Sequence, residues 1–194
     1  MTALDVNFVR AQFPAFAEPS LDGQAFFENA GGSYTCGQVI DRLHRFYTQR
    51  KVQPYGSYAV SQLGGAEMDE ARTRLAAMMN VETDELSFGP STSQNTYVLA
   101  HAFAETLSPG DVVIVTDQDH EANSGAWRRL EARGMEVREW QINDETGQLE
   151  TETLAGLLDE KVKLVCFPHC SNIIGQENPV PEIVAMAHAV GAFR

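Results

Sequence analysis

Apolar runs separated by helical patterns are the feature that most constrains the fold of this chain. The runs 111–116 (DVVIVT) and 162–167 (VKLVCF) are rich in Val, Ile and Leu and show little alternation with polar residues. Strands of this kind are typical of a parallel sheet buried on both faces, whereas a half-exposed strand alternates apolar and polar positions. A third run, 135–140 (MEVREW), lies between them. The pattern predicts a three-layer α/β/α fold with a mostly parallel sheet.

The segments around these runs supply the other predicted elements. Apolar residues at helical spacing predict helices within 39–47, 68–79, 90–107, 124–133, 152–160 and 181–190. Short strands are predicted at 24–29 (QAFFEN) and 85–89 (ELSFG), and a new strand is expected to begin at Ala192 and Phe193. The Gly- and Pro-containing tract 52–65 predicts a loop.

Composition excludes several classes of protein. The 194 residues carry a formal net charge of −13, which disfavours nucleic-acid binding because such binding depends on Lys and Arg at phosphates. No run of about 18 apolar residues is present, so neither a membrane span nor a membrane partner is expected. The three cysteines, Cys36, Cys166 and Cys170, are too few and too irregular for a disulfide framework, which favours a reducing, cytoplasmic location.

Polar loops follow the predicted strands, and in an open α/β sheet the ligand binds outside the carboxyl ends of the strands. The first loop places Ser91, Thr92 and Ser93 at the start of a helix, where free N–H groups and the positive end of the helix dipole can hold an anion. Ser and Thr are also preferred there as ordinary N-caps, so both interpretations stay open.

The second loop contains His120 among acidic neighbours. An imidazole at this place could be a base, a metal ligand, a flat surface that stacks on an aromatic ligand, or a solvated side chain. The third loop begins with His169, Cys170, Ser171 and Asn172, which could start a metal site, supply a nucleophile or form the polar floor of a cofactor pocket. The spacing of Cys166 and Cys170 lacks the CxxC pattern of a structural zinc site, and Cys166 is expected in the core.

Together the three loops offer an anion seat, a planar group and an amide donor. These are the groups that a phosphorylated aromatic cofactor requires. A nucleotide-binding Rossmann domain is less well supported, because no G-x-G-x-x-G follows the first strand.

Four segments carry a resemblance to a known family. They are 169–183 (HCSNIIGQENPVPEI), 117–127 (DQDHEANSGAW), 86–103 (LSFGPSTSQNTYVLAHAF) and 26–33 (FFENAGGS). The chain resembles the N-terminal half of a class V aminotransferase-type pyridoxal-phosphate enzyme, close to the cysteine desulfurases and selenocysteine lyases. The resemblance implies an incomplete large domain of the fold type I transferases and the cofactor pyridoxal 5'-phosphate.

The resemblance also implies roles for individual residues. Ser91, Thr92 and Ser93 would hold the cofactor phosphate, and His120 would stack on the pyridine ring as the catalytic histidine. Asn172 would hydrogen-bond the phenolic oxygen of the ring, with no metal in the site. Substrate is expected near an N-terminal loop formed by Asn29, Ala30 and Gly31.

The implied function is a homodimeric enzyme that acts on an amino acid, in the first place by cleaving the C–S bond of cysteine. Two departures leave the substrate open: the family's Thr-Thr-Glu turn is here STSQ, and its His-Arg-Gly segment is replaced by QPYGSY. An aminotransferase, an epimerase, another lyase or a non-catalytic module with the same fold therefore remain alternatives.

The resemblance further implies a division of the chain. Residues 1–60 would form an N-terminal segment with the active-site loop, and 61–194 part of the cofactor-binding domain. The Schiff-base lysine, the aspartate that pairs with the pyridinium nitrogen and a small C-terminal domain are expected beyond Arg194. The 194 residues alone are thus expected to be inactive.

Overall fold

A computed structural model describes residues 3–193. These residues form two compact units, and the division between the units falls between Ser87 and Phe88. The first unit is helical, and no β-strand occurs in its described part. Its helices are α1 (Val6–Ala11), α2 (Gly37–Arg45) and α3 (Ala59–Met79), with short 3-10 turns at Pro14–Ala17, Pro19–Leu21 and Thr83–Glu85 and a π-helical turn at Phe46–Arg50.

The second unit alternates helices and strands along the chain. Its elements are α4 (Thr92–Ala104), β1 (Val112–Thr116), α5 (Glu121–Arg128), a 3-10 turn (Arg129–Arg133), β2 (Glu136–Trp140), α6 (Thr151–Leu157), β3 (Val162–Val165) and α7 (Val180–Ala189). The strand order is β2-β1-β3, and both pairs are parallel. Val113 is opposite Val137 on one side and Leu164 on the other.

The central strand β1 is buried along its whole length, as its composition predicts. Val112 and Ile114 pack on one face of the sheet with residues of α6 and α7, such as Leu154 and Ile183. The alternate residues of β1 pack on the other face with α4 and α5, where the rings of Phe103 and Trp127 meet edge to face at 6.1 Å. Two separate cores on the two faces confirm the predicted α/β/α layers.

A fourth extended segment joins the sheet beside β3. Phe193 N–H donates to the Lys163 carbonyl at 2.9 Å, and Val165 N–H donates to the Phe193 carbonyl at 3.0 Å. The bridge between Leu164 and Phe193 is parallel. Phe193 thus pairs with β3 as the expected strand would, through a single parallel bridge, and Arg194 lies outside the described residues.

Two of the predicted short strands are wrong. Residues 24–29 and 85–89 contain no strand, although Leu86 has extended dihedral angles (φ −107°, ψ 118°). An extended segment becomes a strand only where a neighbouring backbone supplies hydrogen-bond partners. Neither segment is paired as a strand in the described structure.

The loop predicted over 52–65 is also partly wrong, because α3 begins at Ala59. Gly64 and Gly65 suggested a break, yet Gly65 has a packing role: a Cβ built on it would lie 2.6 Å from the ring of Tyr55. The buried Ser61 fixes the preceding turn, since its Oγ donates to the Gln53 carbonyl and accepts the Gly56 N–H. Tertiary contacts here override the low helix propensity of glycine.

The helix α3 runs through the predicted division at residues 60 and 61. That division, which concerns the complete protein, stays a prediction. Among residues 3–193 no helix combines the length and the apolar character needed to cross a bilayer.

Two glycines offer a matched test of the second unit. Gly134 ends the turn after α5 with φ +91°, whereas Gly156 lies within α6 with open space around it. Gly134→Ala should lower the free energy of unfolding by about 1–2 kcal/mol, because an L-residue is strained at this φ. Gly156→Ala should raise it by about 0.5–1 kcal/mol through helix propensity. Urea unfolding measures both values, and the same sign for both substitutions would contradict these local conformations.

Candidate functional site

The N-terminus of α4 presents unused backbone donors. Ser91 is the N-cap, and its Oγ accepts the Gln94 N–H at 3.2 Å. The N–H groups of Thr92 and Ser93, the first two of the helix, have no acceptor within it. Gly89 lets the chain turn closely here, because a Cβ on it would collide with the side-chain amide of Asn95. Ser91 is thus a cap, while its hydroxyl proton and two N–H groups remain available to an anion.

His120 follows β1 and caps α5. Its Nδ1 accepts the Ala122 N–H at 3.0 Å, so the neutral ring carries its proton on Nε2. Asp119 Oδ1 accepts the His120 backbone N–H at 2.7 Å and the Asn123 Nδ2–H at 3.0 Å. These bonds fix both the backbone and the tautomer of His120. Its Nε2–H takes no part in the cap of α5.

Asn172 lies in a tight turn after β3. The buried Ser171 holds this turn, because its Oγ accepts the N–H groups of Ile173 and Ile174, both at 3.3 Å, and its carbonyl accepts the Gly175 N–H at 2.9 Å. Gly175 has φ +70°. The hydroxyl of Ser171 is therefore engaged in the turn, which does not favour the nucleophile interpretation, while Asn172 is exposed.

The three loops meet around one cleft of about 590 Å³. Its walls include Thr92, Ser93, His120 and Asn172. A neighbouring cleft of about 580 Å³ shares Ser93 and His120 and adds Ser91. All five residues predicted to bind the cofactor thus border two adjacent clefts at the carboxyl edge of the sheet, although their roles stay predictions.

A buried network of side-chain amides, which sequence reasoning missed, connects the loops that follow β1, β2 and β3. Gln118 donates from Nε2 to the Gly147 carbonyl at 3.2 Å and to Gln176 Oε1 at 3.0 Å. Asn178 donates from Nδ2 to Gln118 Oε1 at 2.8 Å and to the Pro168 carbonyl at 2.7 Å. The only sequence signal was the Asn-Pro pair at 178–179, which is typical of a turn.

Arg128 anchors α5 to the sheet and was also missed. Its guanidinium makes two bonds to Glu139 of β2, at 2.6 and 3.3 Å, and donates to the Thr116 carbonyl at 3.3 Å. The hydrogen bonds that Arg128 donates to the Glu139 carboxylate raise the pKa of Arg128 above its usual range. No spacing rule connects residues 128 and 139 in the sequence, because they lie on different elements.

Behind the cleft, a cavity of about 400 Å³ lies among α4, α5, α7 and the end of β3. Cys166, which was expected in the core, is partly buried, packs against it and lines this cavity. Desolvation raises the pKa of its thiol, with a further contribution from the Asp119 carboxylate. Cys170 instead borders the 590 Å³ cleft and is exposed. Among residues 3–193 no group of three or more His, Cys, Asp or Glu side chains is placed to hold a metal ion.

The residues predicted on the substrate side lie in the first unit. Asn29, Ala30 and Gly31 form an exposed turn in which Gly31 N–H donates to the Glu28 carbonyl at 3.2 Å. Asn29 Oδ1 accepts a hydrogen bond from Ser33 at 3.3 Å. Their role in substrate recognition stays a prediction.

The layered parallel sheet, with a helix N-terminus, an imidazole and an amide at its carboxyl edge, is an α/β domain of the class in which ligands bind at that edge. More specifically, the chain belongs to the aminotransferase class-V family, whose model matches residues 25–194. It is 34% identical over 193 residues to a cysteine desulfurase of Pectobacterium carotovorum, an alignment that covers 96% of this chain and 47% of the relative. The identity to a cysteine desulfurase of Haloferax volcanii is 29%, with 98% and 49% covered. The resemblance found in the sequence is confirmed.

Solved structures show the same fold. The apo cysteine desulfurase of Thermococcus onnurineus NA1 matches with a TM-score of 0.86 at 23% identity, covering 100% of this chain and 47% of that one. The cysteine desulfurase CsdA of Escherichia coli matches with a TM-score of 0.82 at 22% identity, covering 98% and 48%. The chain thus spans about half the length of the relatives that it matches.

The two cysteines of the second unit should differ in reactivity. Iodoacetamide reacts with the thiolate, so the raised pKa and partial burial of Cys166 should make its alkylation slow, while the exposed Cys170 should react readily at pH 8. Peptide mass spectrometry of the protein after partial alkylation measures the order. Alkylation of Cys166 before Cys170 would contradict the described burial, and Cys170→Ser should remove the fast phase alone.

Proposed function

We propose that the complete protein is a pyridoxal-phosphate-dependent enzyme that cleaves the C–S bond of cysteine, a cysteine desulfurase. The observation that carries this proposal is the single cleft bordered by Thr92, Ser93, His120 and Asn172 in a chain of the class-V family. About one-third identity to several cysteine desulfurases supports the choice of reaction. A homodimer in the cytoplasm is part of the proposal.

The phosphate would bind at the N-terminus of α4. The unpaired N–H groups of Thr92 and Ser93 and the hydroxyls of Ser91 and Thr92 provide donors, and the helix dipole favours a negative charge. This local field can hold a dianion despite the net charge of −13, because the donors are oriented and close.

The ring would lie between His120 and Asn172. His120 is held by its Nδ1 cap to Ala122, so the imidazole has one orientation in which it can stack on the pyridine. Asn172 would donate its amide N–H to the phenolic oxygen and so favour the anionic form of that oxygen. When bound, the cofactor supplies an electron sink for the bonds around the α-carbon of the amino acid. A solved C-DES variant that carries glycine covalently linked to its pyridoxal-phosphate cofactor has the same fold, with a TM-score of 0.76.

The lysine that would bind the cofactor is proposed to lie outside residues 1–194. Lys161 lies at the opposite edge of the sheet from His120, since its carbonyl accepts the Val112 N–H at the start of β1. Lys163 directs its Nζ to the Glu160 carbonyl at 2.8 Å, also near the start of β3. Both of these lysines are therefore unsuited to the cleft. The third lysine, Lys51, belongs to the first unit, where its ammonium lies over the ring of Tyr47 at 5.4 Å.

Replacing Thr92 tests the phosphate seat. Thr92→Ala should weaken binding of pyridoxal phosphate by about 1–3 kcal/mol, the range for a hydrogen bond to a charged group. Fluorescence titration of the cofactor-free protein measures the dissociation constant. Thr151→Ala is the matched control, because Thr151 occupies the same first position of α6, on the other face of the sheet. Equal affinities in the two variants would place the phosphate elsewhere.

The reaction is tested with the protein at its full natural length. Incubated with L-cysteine, pyridoxal phosphate and a thiol reductant, it should release alanine and sulfide in equal amounts, because desulfuration replaces the sulfur on Cβ with hydrogen. Amino-acid chromatography and sulfide assay give the ratio. Formation of pyruvate and ammonia, or transfer of the amino group to a keto acid, would instead assign another reaction of the family.

A further inference from the structure

The amide network of Gln118, Gln176 and Asn178 joins three loops at the edge of the sheet. Gln118 belongs to the loop after β1, two residues before His120, and is 8% exposed; Asn178 is 4% exposed. Gln118 also reaches the Gly147 carbonyl in the loop that follows β2. Buried amides of this kind persist only if they are hydrogen-bonded, so the network fixes the loops relative to one another.

The loop that carries Asn172 is closed on itself. Asn178 N–H donates to the His169 carbonyl at 2.8 Å, and Ser171 N–H donates to the Gln176 carbonyl at 2.9 Å. Asn178 Nδ2 closes the base of the loop at the Pro168 carbonyl. The segment 168–178 therefore has an internal set of bonds that would survive the loss of an outside partner.

Side-chain bonds of the amide network that connect this segment to the β1 loop all pass through Gln118. Its Oε1 accepts from Asn178, and its Nε2 donates to Gln176. Asn178 Oδ1 is buried without a hydrogen-bond partner among the described residues, so Asn178 holds Gln118 through its Nδ2 alone. Removing the Gln118 amide would detach the segment from the network. Its internal bonds would still form, but they would open more often because the amide network no longer supports the segment from outside.

We infer that Gln118 is a positioning residue that sets the place of Asn172 relative to His120 across the cleft. The backbone of His120 is held separately by Asp119, so loss of Gln118 should displace Asn172 more than His120. This inference rests on the proposed function, since it assigns to Gln118 an effect on the ring-binding contact of Asn172.

The test compares Gln118→Met with Gln148→Met in the protein at its full natural length. Methionine keeps the size of the side chain and removes the amide, and Gln148 is an exposed glutamine of the same 143–148 loop region that Gln118 contacts. Hydrogen exchange of peptides that cover 168–178, measured without cofactor, should be about tenfold faster in Gln118→Met and unchanged in Gln148→Met. Unchanged exchange in both variants would overturn the inference whether or not pyridoxal phosphate binds.

A second measurement distinguishes positioning from a general loss of stability. Gln118→Met should raise the dissociation constant of pyridoxal phosphate about tenfold, but by less than about threefold when Asn172→Ala is already present, because the two residues act through one contact. An equal increase of the dissociation constant with and without Asn172→Ala would show that Gln118 does not act through Asn172. A wild-type protein that binds no pyridoxal phosphate would refute the proposed function, and the exchange result would still decide the positioning role.

Discussion

Parallel pairing of β1 with both β2 and β3 is the constraint on which the second unit depends. Because the three strands run in the same direction, their carboxyl ends meet at one edge, and the loops that follow β1 and β3 come together there. β1 can occupy the central position because it is apolar on both faces: Val112 to Val115 are all completely buried. Strand direction and burial alone thus bring the loops of the site together, whichever side chains those loops carry.

Polar contacts at that edge then determine the shape of the cleft. Helix α4 presents its N-terminus, α5 is capped by His120 and tied to β2 through Arg128 and Glu139, and the turn at Ser171 exposes Asn172. Burying the amides of Gln118 and Asn178 would cost free energy if they lacked partners, so these hydrogen bonds select one arrangement of the loops. An arrangement fixed before a ligand arrives avoids the cost of ordering the loops on binding.

The sequence predicted the layers, the parallel sheet and the neighbourhood of the site because these depend on local patterns. Buried strands have a recognisable composition, and Ser and Thr mark the start of a helix because they are preferred N-caps. The prediction of a strand at 24–29 was wrong, because β-propensity says nothing about whether a neighbouring strand exists. The loop at 52–65 was partly wrong because Gly65 serves the packing of Tyr55, which periodicity cannot show.

The contacts that sequence reasoning missed at the site join residues that are far apart in the sequence. Gln118 and Asn178 are 60 residues apart, and nothing local marks either as part of a buried pair. Sequence patterns indicated which residues border the cleft, whereas the residues that hold them in place emerged only from the fold.

The central claim is that the edge of this sheet is built to hold a phosphorylated aromatic ring between α4, His120 and Asn172. A crystal structure of the complete protein with pyridoxal phosphate tests it most directly. The account predicts phosphate oxygens at hydrogen-bond distance, about 2.7–3.2 Å, from the N–H groups of Thr92 and Ser93, with the pyridine ring stacked on His120. Density for the cofactor at any other place, with the N-terminus of α4 left to solvent, would contradict the account.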